Sequence, residues 1–421
     1  MKSEFGVTIG STILAHILWA DDLILLSDTL GGIQKQLDGL KHFCSKNQMS
    51  VNELKTKIMV FGTDEKISVY FNNAIIEQVE QYKYVGCIIQ SIKRPYADPF
   101  KLNYTYLCDQ ARRVLFGIKH RLKSIGSIPP KALFHLIKTS IKPILAYGSD
   151  VWGIYKYGRD TVDKMFLQIM KRALGVKQST STMMVYGETG QFPPSINCLH
   201  NTLCFLNRIS YMNTDTLVRQ VYEELGKLQA CGFNNWYGKA WELMNTYGLS
   251  INSNHNHFKK LVKNTLKTKF ANNLFEEIVN VGKNPITRTY SLFKQTFGME
   301  SYLDKVSNFK YRQAITRLRV SSHDLMVEKG RQHLNKLVFE ERLCPNCKNI
   351  EDEIHFLVCC PLYSIERKKF YEDIELDEDV INNVNPTTLF CLLMNLKHKN
   401  HLEKLGAFIY SSFNKRRQFN S

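Results

Sequence analysis

Short apolar runs broken by turn residues fill the segment before Gln90, and a helical period takes over beyond it. The runs Ile13 to Leu18 and Leu23 to Leu26 flank Trp19-Ala20-Asp21-Asp22. Aspartate is disfavoured inside strands and favoured in turns, so this stretch predicts a strand, a tight turn carrying Asp21 and Asp22, and a second strand. Behind Ser27, Asp28 and Thr29, apolar residues at Ile33, Leu37, Leu40, Phe43 and Cys44 fall at helical spacing with a polar cap in front. Ile58 to Phe61 reads as a strand, a polar loop follows, and Tyr82 to Ile89 reads as an aromatic strand. Helices are predicted from Tyr104 to Leu122, from Pro129-Pro130 towards Lys142, and from Thr161 to a C-terminal Gly175. Tyr186-Gly187-Glu188 and Pro193-Pro194 predict a turn into further helices. The stretch 229–297 reads as mostly helical, and a last helix spans His401 to Arg417, with Arg416 and Arg417 exposed and the helix packed back on the unit before it.

Composition narrows the class of partner. Among 421 residues, 56 Lys+Arg stand against 39 Asp+Glu, a net charge of +17. An excess of that size attracts phosphate backbones and gives salt-sensitive binding with little sequence preference. With 44% hydrophobic residues the chain can bury sizeable cores, and its length suggests two or three domains. No apolar run reaches the roughly 18 residues of a membrane span. The N-terminal stretch after Lys2 is interrupted by His16 and lacks a small-residue cleavage site, which argues against a secretory leader. An intracellular protein, nuclear or cytoplasmic and without a membrane partner, is expected, and its 11 cysteines are then thiols or metal ligands.

Two clusters carry candidate chemistry. Asp21 and Asp22 repel each other unless a cation sits between them, and Mg2+, a hard ion that keeps phosphates as co-ligands, suits that need. The alternative is a plain surface turn. Near the C-terminus, Cys344-Pro-Asn-Cys347, His355 and Cys359-Cys360-Pro361 give Cys-x2-Cys-x7-His-x4-Cys when Cys360 is the last ligand. Three thiolates and an imidazole at such spacing suit tetrahedral Zn2+ in a structural site. The alternative is two buried cysteines beside an unrelated Cys-x-x-Cys turn.

The order of parts near the N-terminus resembles the reverse transcriptases of non-long-terminal-repeat retrotransposons. It comprises an aromatic-Ala-Asp-Asp box, Leu-x-Leu-Leu-Ser (Leu23 to Ser27), an amphipathic helix, Val51-Asn-x-x-Lys55-Thr-Lys57, a strand, and Tyr82-x-Tyr84-Val-Gly86. The resemblance implies that Asp21 bridges two Mg2+ ions with Asp22 in support, and that Lys55 lies near the triphosphate, a role to weigh against a solvated lysine. It implies a primer grip of Tyr82, Tyr84 and Gly86. Trp19 departs from the Phe or Tyr usual in that box. Lys142-Pro143-Ile-Leu-Ala-Tyr147-Gly148-x-x-x-Trp152 matches a further family signature beyond a thumb. There Arg112, Arg113, Lys119 and Arg121 would track template and primer phosphates unless they form a solvated face. The family also carries the Cys-His cluster behind Glu351-Asp-Glu353, with its last cysteine directly before proline, which selects Cys360. Arg312, Arg317 and Arg319, on a matching segment ahead of it, could bind RNA or target DNA. His323 could reach the zinc, with a capping or core histidine as the alternative.

The fold expected is α+β: a partial right-hand polymerase palm with primer grip over 1–92, a thumb-like helical region over 93–158, a helical domain over 159–340, and a zinc-binding unit with a C-terminal helix over 341–421. The family's palm also uses a carboxylate from an earlier strand, so this chain is expected to be close to inactive alone unless a missing N-terminal polymerase half is supplied. Three readings follow: a fragment of an RNA-directed DNA polymerase acting on an RNA template and a DNA primer or target, a non-catalytic nucleic-acid-binding remnant, and an unexpressed pseudogene product.

Overall fold

Among the described residues, every strand longer than a single bridge pairs only with its neighbour in sequence. A computed structural model describes residues 5–94, 97–122, 128–280, 282, 285–332 and 336–419. Its four antiparallel hairpins are β1 (Val7–Ile9) with β2 (Thr12–Leu14), β3 (His16–Trp19) with β4 (Asp22–Leu25), β5 (Tyr70–Phe71) with β6 (Ala74–Ile75), and β7 (Gln81–Tyr84) with β8 (Cys87–Gln90). All else of regular structure is helical, so the chain is mostly helix with small sheets.

The chain divides into two compact units. The first comprises Met1–Gln110, Ile144–Val162 and Ser195–Thr265. β5 packs against the helix Leu30–Lys46, whose predicted cap is Thr29: the hydroxyl accepts from the Gly32 amide at 3.1 Å. Gln36 on this helix donates to the carbonyls of Phe5 and, at 2.7 Å, Leu26. Leu37, Val69, Phe71 and Ile76 form a small core with Leu25, Ile33, Leu40, Val51 and Ile58 packed against it. The strand predicted over Ile58 to Phe61 is absent. Only Ile58 makes a bridge, parallel, to Gln78; the Val60 carbonyl is taken by the Ser91 hydroxyl, and Gly62, at φ +84°, donates to Ile92. Side-chain and loop partners satisfy this backbone where a ladder was expected.

The second unit comprises Ala111–Pro143, Asp163–Pro194 and Leu266–Ser421 and is helical. The helix expected after Pro129-Pro130 begins at Pro130, but a π-turn, Ile137–Ile141, interrupts it. Pro143 has no N–H and its ring crowds the carbonyl four residues back, and a widened turn relieves both problems. Tyr186-Gly187-Glu188 is not a turn. It lies inside the helix Thr182–Thr189, and Gly187 is there because a Cβ would come within 2.5 Å of the Tyr290 hydroxyl. The stop falls at Gly190, with φ +60°.

Glu188, at 0% exposure, faces the buried Arg319 of the helix Phe309–Arg319. The pair is bidentate, Nε to Oε2 at 2.9 Å and Nη2 to Oε1 at 3.0 Å. Tyr302 and Tyr290 donate to the same carboxylate at 2.6 and 3.1 Å, and the guanidinium also meets Glu300 at 3.2 Å and the face of Phe293 at 4.5 Å. Burial alone would lower the Arg319 pKa, but the facing carboxylates of Glu188 and Glu300 raise it above its ordinary value. The arginines of this helix are therefore structural, whereas Lys310 is exposed. Arg312 donates to the Val306 carbonyl at 2.6 Å and Arg317 to Gly175 at 2.9 Å, which accounts for arginines predicted to meet nucleic acid. The last helix, Lys399–Phe419, crosses Phe309–Arg319 at Gly406, where a Cβ would sit 2.7 Å from Tyr311. Removing one partner of a buried pair strands the other charge. Arg319→Met is expected to lower the unfolding free energy of this unit by about 3–5 kcal/mol in urea titration, whereas Arg417→Met, on an exposed site, is expected to change it by less than about 0.5 kcal/mol.

Candidate metal centre and acidic hairpin

A bridge between Leu343 and Ile350 closes a loop that presents Cys344 and Cys347. Cys344 donates its amide to Asn349 at 2.7 Å and accepts from the Lys348 amide at 3.0 Å, and Lys348 takes φ +63° to complete the turn. Asp352 then accepts from the His355 amide at 2.8 Å and starts a π-turn, His355–Cys359. In a π-turn the bond runs from residue i to i+5, and here the Cys360 amide meets the His355 carbonyl at 2.8 Å. That winding turns Cys360 towards His355 and leaves Cys359 exposed.

Sγ of Cys344 and Sγ of Cys360 are 3.8 Å apart, Sγ of Cys347 and Nε2 of His355 are 3.3 Å apart, and all four ligand atoms lie within 4.8 Å of one another. Four ligands about 2.0–2.3 Å from a tetrahedral ion stand roughly 3.5–3.8 Å from each other. The donor set and its spacing fit zinc. Burial pushes the Cys344 thiol up and the Cys360 thiol up to about 12, and it pushes the His355 imidazole down. Thiolates in this cluster therefore depend on a cation to offset their desolvation.

The acids beside the ligands each have a different structural partner. Glu351 takes a bidentate pair from Arg416, at 2.7 and 2.6 Å, and accepts from the Met326 amide at 2.7 Å. Arg416 is thus buried, against the exposure expected from sequence, while Arg417 is exposed. Glu353, fully buried, meets Arg288 at 2.6 Å, His323 at 3.0 Å and Ser321 at 2.7 Å. Burial opposes its charge, but His323 and Arg288 more than offset that and hold its pKa well below the usual carboxylate range. His323 is a core histidine bound to a carboxylate and is outside the ligand group. Arg367 braces the cluster from behind, donating to the carbonyls of Leu357 at 2.9 Å and Cys360 at 2.8 Å.

In the first unit, Asp21 and Asp22 sit at the tip of the β3–β4 hairpin, where Trp19 pairs with Asp22 and Ala20 takes φ +54°. Both acids are exposed, as are Leu18 and Trp19, at 65% and 66%. The Tyr82 hydroxyl donates to the carbonyl of Lys55 at 3.3 Å, so this pair is brought together, and the Lys55 side chain is exposed. The strand predicted over Tyr82 to Ile89 is a hairpin, turning at Val85 (φ +44°) and Gly86 (φ +81°) with Tyr84 opposite Cys87. Tyr147 covers that turn. Its hydroxyl donates to Val85 at 2.9 Å, and a Cβ on Gly86 would lie 2.9 Å from its ring. Tyr147 is held in turn by the fully buried Trp152, whose indole donates to its carbonyl at 2.7 Å. In the second unit, Arg112, Arg113 and Arg121 are exposed on the helix Lys101–Leu122 beside Phe116, at 72% exposure; the side chain of Lys119 lies outside the described residues.

No protein-family model matches the chain. An uncharacterized transposon-derived protein of Caenorhabditis elegans is 24% identical over 171 residues, 39% of this chain and 57% of the relative. The chain thus spans little more than half of that relative's length. The likeness points to a transposable-element origin. Among the described residues no helix is long and apolar enough to cross a membrane.

Sequence reasoning missed three supports: Tyr147 under the β7–β8 turn, Arg416 on Glu351, and Arg288 on Glu353. Tyr147 and Trp152 lay within a motif already singled out, so that signal was visible; Arg288 stood in a stretch with no pattern to mark it. The cluster is expected to bind one zinc ion per chain, measured by plasma mass spectrometry after dialysis. Cys347→Ser should lose most of it and Cys359→Ser should keep it, and chelation should lower the melting temperature of the wild type more than that of Cys347→Ser.

Proposed function

We propose that the chain works in the reverse-transcription machinery of a non-long-terminal-repeat retrotransposon. In this reading Asp21 and Asp22 hold Mg2+ for nucleotidyl transfer to a DNA primer on an RNA template. Residues 1–92 correspond to part of the palm, 93–158 to a thumb, 159–340 to a helical domain, and 341–421 to a zinc-bearing unit. The observation that carries the reading is the tip of the β3–β4 hairpin, where Asp21 in the two-residue turn is followed by Asp22, the first residue of β4. Mg2+ is commonly bound by one or two carboxylates, with substrate phosphates and water completing its shell, and this turn offers that donor set. Support also comes from the second hairpin: Tyr82, Tyr84 and Gly86 are its primer-facing residues in the proposal, and Tyr147 braces its turn. Lys55, linked to it through Tyr82, is proposed to approach the triphosphate. The net charge of +17, the exposed Arg112, Arg113 and Arg121, and a transposon-derived relative agree with a nucleic-acid partner.

A second reading, nucleic-acid binding without catalysis, is favoured by the exposure of Leu18 and Trp19 beside the acids, since a working two-metal site excludes water more fully. Primer extension on poly-rA with an oligo-dT primer, Mg2+ and labelled dTTP separates the two. It is run with and without a purified N-terminal palm segment from a related element. Incorporation is expected to fall to background in Asp21→Ala while duplex retention persists. Incorporation equal in the variant would overturn the catalytic assignment, and silence in both arms with salt-sensitive duplex binding would favour the second reading.

A further inference from the structure

A cleft of about 390 Å³ opens between the helices Leu217–Ala230 and Trp236–Thr246. Its walls carry Tyr222, Tyr237 and Trp241, with Arg219, Glu223 and Ser210 at the polar side. The rings form a continuous aromatic surface: Tyr222 and Tyr237 have centroids 4.9 Å apart, Tyr237 and Trp241 6.2 Å. Polar tips tie it together, the Trp241 indole donating to the Tyr222 hydroxyl at 3.1 Å with Ser210 3.4 Å from the same oxygen. Gly226 lets the Tyr237 ring lie flat on the first helix, since a Cβ there would come within 3.3 Å of it. Asn235 fixes the approach of the second helix, capping it through the Gly238 amide at 3.3 Å and donating to Leu225 at 2.7 Å. These features make the surface rigid before any ligand arrives.

Its electrostatics choose between occupants. An aromatic wall beside an acid suits an alkylammonium, but here the cation position is already filled. Arg219 lies 5.2 Å from the Tyr222 ring centroid, pairs with Glu223 at 2.8 Å through Nε, and donates through Nη1 to Ser210 and Ile209 at 2.8 and 3.2 Å. A second cation would meet that guanidinium. A flat, uncharged ring would stack on Tyr237 or Trp241, give an edge N–H to the free side of the Glu223 carboxylate, and leave its attached phosphate near Nη2 of Arg219, which makes none of those bonds.

We propose that this cleft binds an unstacked nucleobase of a single strand, a task separate from the acidic hairpin. The inference rests on the nucleic-acid reading above only for the kind of polymer; it does not involve Asp21 or nucleotidyl transfer, so its outcome is independent of primer extension. The test is fluorescence anisotropy of the full chain with a labelled single-stranded DNA dodecamer and with its fully abasic counterpart. Tyr237→Leu, which keeps apolar bulk and removes the π face, is expected to weaken the base-bearing strand about tenfold and leave the abasic strand unchanged. Tyr237→Phe should bind within about twofold of wild type, because the ring remains. Equal affinity of wild type and Tyr237→Leu for the base-bearing strand would overturn the proposal. So would a parallel loss on the abasic strand, which would make Tyr237 structural, or displacement of the strand by a trimethyllysine peptide, which would make the cleft an ammonium site.

Discussion

A carboxylate taken out of water must be met by a cation and by hydrogen-bond donors, and buried carboxylates of the helical unit show how that is done. Glu188, Glu351 and Glu353 are at 0%, 2% and 0% exposure, and each faces an arginine: Arg319, Arg416 and Arg288. Each pair joins segments far apart in sequence. A lone charge in such surroundings costs several kcal/mol, so the helices that carry these partners are constrained to one arrangement. Glu351 and Glu353 lie in the chain between Cys347 and His355, with Asp352 capping the turn that carries His355. The candidate metal ligands and the structural acids therefore alternate along one segment of the chain.

The hairpin unit follows a different rule. Its strands are too short to form a broad sheet, so each hairpin is stabilised by what packs on it. Leu25 of β4 reaches the core formed by Leu37, Val69, Phe71 and Ile76, and the β7–β8 turn is clamped by Tyr147, itself fixed by Trp152. The tip of β3–β4, with Trp19, Asp21 and Asp22, remains exposed. Rigid support with an exposed tip is the arrangement expected of a functional turn, and it underlies the proposal that these acids hold a metal with its substrate phosphates.

What could be read from the sequence was local. The Thr29 cap, the hairpin turn at Asp21 with Asp22 opening the next strand, the start at Pro130 and the stop at Gly175 depend on a few neighbouring residues whose preferences are strong. Features that depend on distant partners were misread. Gly187 looked like a turn residue because its reason for being glycine, the Tyr290 hydroxyl, lies more than a hundred positions away. Arg312 and Arg319 looked like nucleic-acid contacts, and Arg416 looked exposed, because nothing in their own segments announces a buried partner. Ile58 to Phe61 looked like a strand, but only Ile58 bridges, through Glu77 and Val79, and the Val60 carbonyl accepts from the Ser91 hydroxyl. Cys344, Cys347 and His355 were legible as candidate ligands from spacing, and Cys360 came only from the resemblance; the π-turn that turns Cys360 inward and leaves Cys359 exposed was not legible, since Pro361 only marks where it ends.

The central claim is that four side chains from a loop and a π-turn converge on one tetrahedral ion and that the buried acids fix the unit around it. X-ray absorption at the zinc edge on the full chain tests it most directly. The account requires a shell of three sulfurs at about 2.3 Å and one nitrogen at about 2.0 Å. A shell of oxygen and nitrogen alone, or a zinc-free chain with Cys344 and Cys360 joined as a disulfide, would contradict it.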